Sequence, residues 1–181
     1  MDLHDLRCGE LRIGPFQEGD AAAFAQAARE SAGSLAPWMP WCHADYSETE
    51  AREWIARCAQ NVRDDLSYDL GIYSADRALL IGGIAINQIN RINNYGNIGY
   101  WVRASQQGRG IATRAARRIA QFGFDVLRLH RLEIVAAVGN APSRRVAAKA
   151  GAQQEGVARQ RLLLHGHAHD AAIYSLLAGD L

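Results

Sequence analysis

Apolar and polar positions along this chain change period several times, and each change predicts an element. Residues 8–16 alternate weakly and predict a first strand. The alanine-rich run 20–28 predicts a helix with Asp20 as its N-cap. Pro37-Trp38-Met39-Pro40-Trp41 ends that helix in an aromatic loop. Ser47-Glu48-Thr49-Glu50 has the spacing of a capping box and opens a second helix, with Ala51, Trp54, Ile55 and Cys58 on one face. Apolar or alternating runs at 68–73, 79–89 and 97–102 predict three strands. The turns between them, at Asp76 and Asn93-Asn94, are short, which implies an antiparallel meander.

A longer stripe follows. Ile111, Ala115, Ile119, Phe122 and Val126 recur at helical spacing within a helix predicted over 108–127. Residues 131–138 read as a strand. Asn140 caps a further helix with Pro142 in its first turn, and Gly151 ends it. The tail, 152–177, reads as two strands around His165-Gly166-His167. The order is β α α β β β α β α β β. That predicts one mixed α/β domain over residues 1–181, with a mostly antiparallel sheet and one parallel β-α-β crossover.

Composition narrows the class. The 181 residues are 49% hydrophobic and 22% charged, which excludes a disordered chain, a collagen-like repeat and a disulfide miniprotein. The net charge of +1 gives no whole-molecule field for nucleic acid, so no nucleic-acid partner is expected. There is no apolar run long enough for a membrane helix, and the acidic start lacks the features of a signal peptide. Cys8, Cys42 and Cys58 fit neither a disulfide framework nor a zinc pattern, so a reducing cytoplasm is the expected setting. Charge is uneven: residues 1–60 hold 5 basic and 10 acidic residues, and residues 61–181 hold 15 and 9. The acidic front suits a cationic partner and the basic remainder an anionic one, unless both are ordinary solvated surfaces.

Chemistry concentrates in Gln106-Gln107-Gly108-Arg109-Gly110-Ile111-Ala112-Thr113-Arg114, between a strand and a helix. Two glycines permit tight backbone geometry, and the free N–H groups of a first helical turn make an anion site. A P-loop is excluded because Gly-Lys-Ser/Thr is missing. A Rossmann fingerprint is disfavoured because Thr113 stands where a third glycine belongs and no acid ends the next strand. Three other features stand out less. His165, His167 and His169 alternate, but Gly166 and Ala168 read as a hairpin tip, so no metal is expected. The cysteines read as ordinary small residues. Arg117-Arg118 and Arg144-Arg145 read as solvated helix faces, with Arg145 a minor candidate for phosphate contact.

Gln107-Gly108-Arg109-Gly110-Ile111-Ala112 is similar to the acetyl-CoA signature of the GNAT acetyltransferases, Gln/Arg-x-x-Gly-x-Gly/Ala. The likeness extends over nearly the whole chain. Asn97-Ile98-Gly99-Tyr100-Trp101-Val102 resembles the family's fourth strand. Asn140-x-x-Ser143-x-x-Val146-x-x-Lys149-x-Gly151, Asp170-x-x-x-Tyr174 and the Trp38/Trp41 loop resemble the ribosomal-protein N-terminal acetyltransferase branch, the RimJ/RimL type. The resemblance implies the GNAT fold, a sheet splayed between its fourth and fifth strands with acetyl-CoA in the opening. It further implies that the N–H groups of residues 108 to 113 hold the pyrophosphate and that the backbone of Tyr100, Trp101 and Val102 pairs with the pantetheine arm. One N–H there faces the thioester oxygen, and Asn140 bonds a pantetheine amide. Ser143 is the candidate general acid for the leaving thiolate, with a helix-capping role as the alternative.

The implied reaction is direct attack of a primary amine on the thioester. The acceptor is a protein N-terminal α-amine, or otherwise a small amine such as an aminoglycoside, a polyamine or an amino-acid-like compound. A non-catalytic CoA-binding module is the rival from another class. Trp38, Trp41 and His43 are candidate substrate-binding residues, because in the family this loop roofs the acceptor site. Asn97 departs from the pattern, since many relatives carry Glu there and an amide accepts no proton at neutral pH. The base is then a water, a loop residue (His43, Asp45 or Glu48), or none, because an α-amine with pKa about 7.7–8.0 is already partly neutral. A homodimer is an open expectation, as the branch contains dimers.

Overall fold

The structure is a computed structural model that describes residue 3 and residues 6–181. The start of the chain, read above for a targeting segment, lies largely outside the described residues. Eight strands form one sheet: β1 (Leu6–Cys8), β2 (Leu11–Pro15), β3 (Tyr68–Ser74), β4 (Leu80–Asn90), β5 (Tyr95–Val102), β6 (Arg131–Ala137), β7 (Gln153–Leu164) and β8 (His167–Leu176). Their order across the sheet is β1-β2-β3-β4-β5-β6-β8-β7. Among the described residues four α-helices flank it: α1 (Ala21–Leu35), α2 (Glu48–Arg63), α3 (Ile111–Asp125) and α4 (Ala141–Ala150). Among the described residues no helix is long and apolar enough to cross a membrane.

Two local expectations are corrected. The single strand expected over 8–16 is a hairpin, because Gly9 takes φ +60° and turns the chain between β1 and β2. Asp20 does not cap α1. Its backbone is already right-handed helical, and its carboxylate accepts the Gln17 N–H at 2.7 Å and the Tyr73 hydroxyl at 2.6 Å. The capping box at Ser47 forms as expected, with Ser47 Oγ accepting the Glu50 N–H and Glu50 accepting the Ser47 N–H. Asn140 Oδ1 accepts the Ser143 N–H at 3.1 Å, and Gly151 ends α4 at φ +101°.

Neighbouring strands are antiparallel except β5 and β6. That parallel pair holds together only at Tyr95↔Arg131, Gly96↔Leu132 and Asn97↔Glu133. Beyond Asn97 the two strands part, so the β6-facing backbone edge of residues 98–102 is left without a ladder partner. This is the expected splay, displaced by one number because the first predicted strand became two.

Strand alternation sends side chains to two cores. Leu70, Ile72, Ile98 and Val102 pack with Ile111, Ala115, Ile119 and Phe122 of α3. Tyr73 and Trp101 pack on the other face with Phe24, Ala28, Ile55 and Cys58 of α1 and α2. Each buried large side chain of these sets contributes roughly 1.5–3 kcal/mol of transfer free energy. The two-sided core is what fixes β5 between a helix on one face and an aromatic cluster on the other.

Candidate active site

The loop after β5 is held from below. Arg103, 8% exposed at its side chain, forms an ion pair with Glu30 of α1, and its Nη1 also donates to the Leu80 carbonyl at 3.2 Å. Glu30 Oε1 accepts the Ser105 N–H at 2.8 Å, and Ser31 Oγ accepts the Ala104 N–H at 3.0 Å. Hydrogen bonds from Arg103 and Ser105 lower the Glu30 pKa to about 2. Gln107 closes the clamp, its side-chain amide donating to the Val102 carbonyl at 2.9 Å and to Ser34 Oγ at 3.2 Å.

On that base, Gly108 (φ +77°) and Gly110 (φ +70°) turn the chain into α3 through left-handed backbone that a side chain would strain. Helical bonding starts only where the Arg114 N–H reaches the Gly110 carbonyl at 3.1 Å. The N–H groups of Ile111, Ala112 and Thr113 therefore have no helical acceptor, and the helix dipole adds positive potential there. A cleft of about 470 Å³ opens in front of them. It is lined by Tyr100, Trp101 and Val102, by Gln107, Gly108, Gly110, Ile111, Ala112 and Thr113, and by Asn140 and Ser143. Arg109 is exposed and is not among its lining residues. Arg145 and Lys149 of α4 line it as well, the latter unanticipated. Both add cationic charge, so an anion entering here meets fixed N–H groups and two side-chain charges. The space in front of them is open: apart from the local chain itself, no atom lies within 4 Å of where a Cβ would stand on Gly108 or Gly110.

At the inner end the Tyr100 hydroxyl donates to the Ser143 carbonyl at 2.9 Å and lies 3.0 Å from Ser143 Oγ. Burial raises the Tyr100 pKa to about 12, so the phenol stays protonated at neutral pH. Sequence alone gives the Tyr100 side chain no role. What joins it to Ser143, 43 positions away, is the docking of α4 beside β5.

A second cleft of about 410 Å³ lies across β5 from the first, and Met39, Tyr100 and Trp101 line both. Its walls are aromatic: Phe24, Trp41, Tyr46, Trp54 and Trp101. Their rings contact one another, with Trp41 at 5.7 Å from both Tyr46 and Trp101. Burial raises the Tyr46 pKa to about 12. Gly83 makes room for the Trp101 indole, since a Cβ there would stand 2.4 Å from Trp101 Nε1. Of the loop residues expected at an acceptor wall, Trp41 lines this chamber. Trp38 lines the first cleft instead, against Gly139. His43 lines neither; it is exposed and bonds Glu50 Oε1 at 3.1 Å. Asp45 and Glu48 are also outside both, Glu48 being paired with Arg52 at 2.6 Å.

The chamber holds one carboxylate that sequence reasoning missed, Asp69 of β3. Asn97 donates its amide to Asn87 Oδ1 at 2.9 Å, and its own Oδ1 is buried with no partner. The histidine series lies at the β7–β8 hairpin tip, where the His165 ring sits 2.7 Å from the Ala36 carbonyl. Among the described residues no group of three His, Cys, Asp or Glu is placed to hold a metal ion. Cys42 and Cys58 are buried, and burial raises both thiol pKa values.

A nest at a helix start, a splayed strand edge and two clefts meeting at β5 define an acyltransferase of the acetyl-CoA-dependent kind. Comparison with known proteins agrees. Residues 10–153 match the family described as the acetyltransferase (GNAT) domain. The chain belongs to the GNAT acetyltransferase family and is an N-acetyltransferase. It is 33% identical over 174 residues to YdaF of Bacillus subtilis, provisionally named a ribosomal N-acetyltransferase, with 92% of this chain and 91% of that protein covered. It is 33% identical over 96 residues to the ribosomal-protein-serine acetyltransferase of Escherichia coli, covering 53% of this chain and 54% of that one. Among solved structures, Mycobacterium smegmatis RimJ in complex with a CoA disulfide superposes with a TM-score of 0.86 at 26% identity, covering 94% of this chain and 83% of that one.

Proposed function

We propose that this enzyme transfers acetyl from acetyl-CoA to the N-terminal α-amine of a protein. The carrying observation is the pair of clefts that share Tyr100 and Trp101, one cationic with free N–H groups and the other aromatic with a carboxylate. Likeness to proteins named for ribosomal N-acetylation supports the acceptor class. Bound acetyl-CoA supplies an acetyl group already activated as a thioester. The N–H groups of Ile111, Ala112 and Thr113 hold its pyrophosphate, with Arg145 and Lys149 adding charge. The unladdered β5 edge at 98–102 aligns the pantetheine arm, and a backbone N–H at Tyr100 or Trp101 donates to the thioester oxygen where negative charge develops.

Ser143 and Tyr100 serve the departing sulfur. The Tyr100 hydroxyl lies 3.0 Å from Ser143 Oγ and holds that oxygen in place while it donates to the thiolate. Asn140 holds the Ser143 backbone through its side-chain oxygen. An α-amine needs little help to lose its proton, because its pKa of about 7.7–8.0 leaves a usable neutral fraction at pH 7. A lysine amine, at about 10.4, needs far more. That difference fits a site in which His43, Asp45 and Glu48 all lie outside the chamber.

The test is thiol release with product mass analysis on free N-terminal peptides, their N-blocked lysine versions, aminoglycosides and polyamines. Acetylation confined to free N-termini is the expected result. Turnover on small amines alone overturns the protein acceptor, and acetyl-CoA binding without turnover on any amine overturns catalysis. Ser143→Ala is expected to lower kcat by one to two orders of magnitude (about 10–100-fold) with little change in acetyl-CoA affinity. Unchanged turnover removes the acid role.

A further inference from the structure

The aromatic chamber contains an acid for which the reaction as described has no use. Asp69 is the second residue of β3, on the same face as Tyr73 and Trp101. Register places it opposite Ala85 of β4, and Ala85 opposite Gly99 of β5. One row thus runs from Asp69 over two of the smallest side chains to the strand that faces the acetyl group. Asp69, Ala85 and Gly99 all line the chamber, so the row is its floor. Two strand spacings put Asp69 about 10 Å from Gly99, Cα to Cα. That is too far for Asp69 to touch an amine attacking at β5, and close enough to hold another part of the same acceptor.

Its surroundings ask for a cation. Among the described residues the Asp69 carboxylate has one side-chain partner, Ser67 Oγ at 2.5 Å, and Ser67 is itself held by Asn61 at 3.2 Å. Among the described residues no ion pair compensates it. Arg57 of α2 also lines the chamber, but its guanidinium lies 6.0 Å from the centre of the Trp54 ring and forms no ion pair with Asp69. The other titratable neighbour on α2 is Cys58, a buried thiol. Burial raises the Asp69 pKa, which is the signature of a carboxylate removed from water without a positive partner. Electron-rich rings of Trp41, Tyr46, Trp54 and Trp101 complete the enclosure.

We infer that Asp69 is an acceptor-binding residue that selects substrates carrying a second cationic group, an ammonium or guanidinium, a short distance from the amine that is acetylated. This rests on the reading of the chamber as the acceptor site of the transferase. For a protein N-terminus the second cation is a Lys or Arg side chain close behind the first residue. For a small acceptor it is the distal ammonium of a diamine. The reacting amine approaches neutral while the second stays charged on Asp69, so one chamber serves both states.

The test compares free-amine tetrapeptides bearing Lys or norleucine at their second residue, and cadaverine with pentylamine. Product masses identify the acetylated nitrogen. The wild-type enzyme is expected to favour the cationic member at least tenfold in kcat/KM, mainly through KM. Asp69→Asn is expected to erase that preference without changing the KM for acetyl-CoA, and Asp69→Glu to restore part of it. Equal use of the paired acceptors by wild type overturns the inference. So does an Asp69→Asn defect that is equal for both members or that moves the pH–rate profile, which assigns Asp69 to proton removal or to structure instead. If no amine is turned over, the functional reading has failed and the inference is read by binding: quenching of tryptophan fluorescence in CoA-saturated protein. Cadaverine binding that exceeds pentylamine binding and is lost in Asp69→Asn upholds it; absence of that difference overturns it.

Discussion

Glu30→Gln isolates the clamp beneath the loop of Gly108 and Gly110. The substitution keeps the shape of the side chain and removes its charge, leaving Arg103 buried beside a neutral amide. Hydrogen bonds from Arg103 and Ser105 hold the Glu30 carboxyl at about 2 against an ordinary value of 4.5. At 1.36 kcal/mol per tenfold change, that fall corresponds to about 3 kcal/mol of native-state stabilisation without screening. The Glu30 side chain is 28% exposed, so water screens the pair, and about 1–2 kcal/mol is the expected loss. The pH window follows from the direction of the shift. A lowered carboxylate stabilises the fold above its unfolded value near 4.5 and loses that contribution as pH falls toward 2.

Urea unfolding of wild type and Glu30→Gln at about pH 7, 5 and 3.5 measures this. The difference between the two proteins should be constant from about pH 7 to 6. By about pH 3.5 more than half of it should be gone. The same clamp fixes the residues just before Gly108, so the KM for acetyl-CoA should rise several-fold in the variant. A stability difference that does not change between pH 7 and 3.5 refutes the electrostatic account. A full stability loss with unchanged acetyl-CoA KM refutes the link from clamp to loop.

Gly110→Ala forces a side chain onto φ +70° at the start of α3. It should cost about 1–2 kcal/mol in thermal or urea unfolding and weaken acetyl-CoA binding about tenfold; unchanged binding argues against the nest. Gly83→Ala puts a Cβ 2.4 Å from Trp101 Nε1 and must displace the indole. Acceptor KM should rise by more than acetyl-CoA KM, since Trp101 lines both clefts but its indole packs with the aromatic chamber, and equal effects on both refute the division into two clefts. Combined His43→Ala, Asp45→Asn and Glu48→Gln should leave the pH–rate profile in place, because none of the three lines either cleft. A lost ionisation returns the base to that loop.

Much of this protein is local and therefore legible in its sequence. Ser47 and Glu50 announce a helix start because a capping box closes within four residues. The stripe from Ile111 to Phe122 repeats at helical period, and Gly108 and Gly110 mark backbone that only glycine adopts readily. Asn140, Pro142 and Gly151 bracket α4 by the same short-range rules. The signature over 107–112 is contiguous, so the glycine-turned helix start and the family both follow from reading it.

Everything that depends on register or docking was decided by the tertiary structure. No local signal stops β5 and β6 pairing after Asn97, since that parting belongs to the whole twisted sheet. Asp69 looks like any polar residue in an alternating strand until register sets it across Ala85 from Gly99 in a chamber walled by aromatic rings. Tyr100 gains a partner in Ser143 only when α4 docks beside β5, and Glu30 gains Arg103 across 73 positions. His43, which sequence reading placed at the acceptor wall, is held outside by Glu50 on the solvent side of α2. Propensity and capping act over one helical turn, so a chain read in order reveals them. Contacts between strands depend on how far the sheet twists and which helix covers each face, and those are properties of the folded whole.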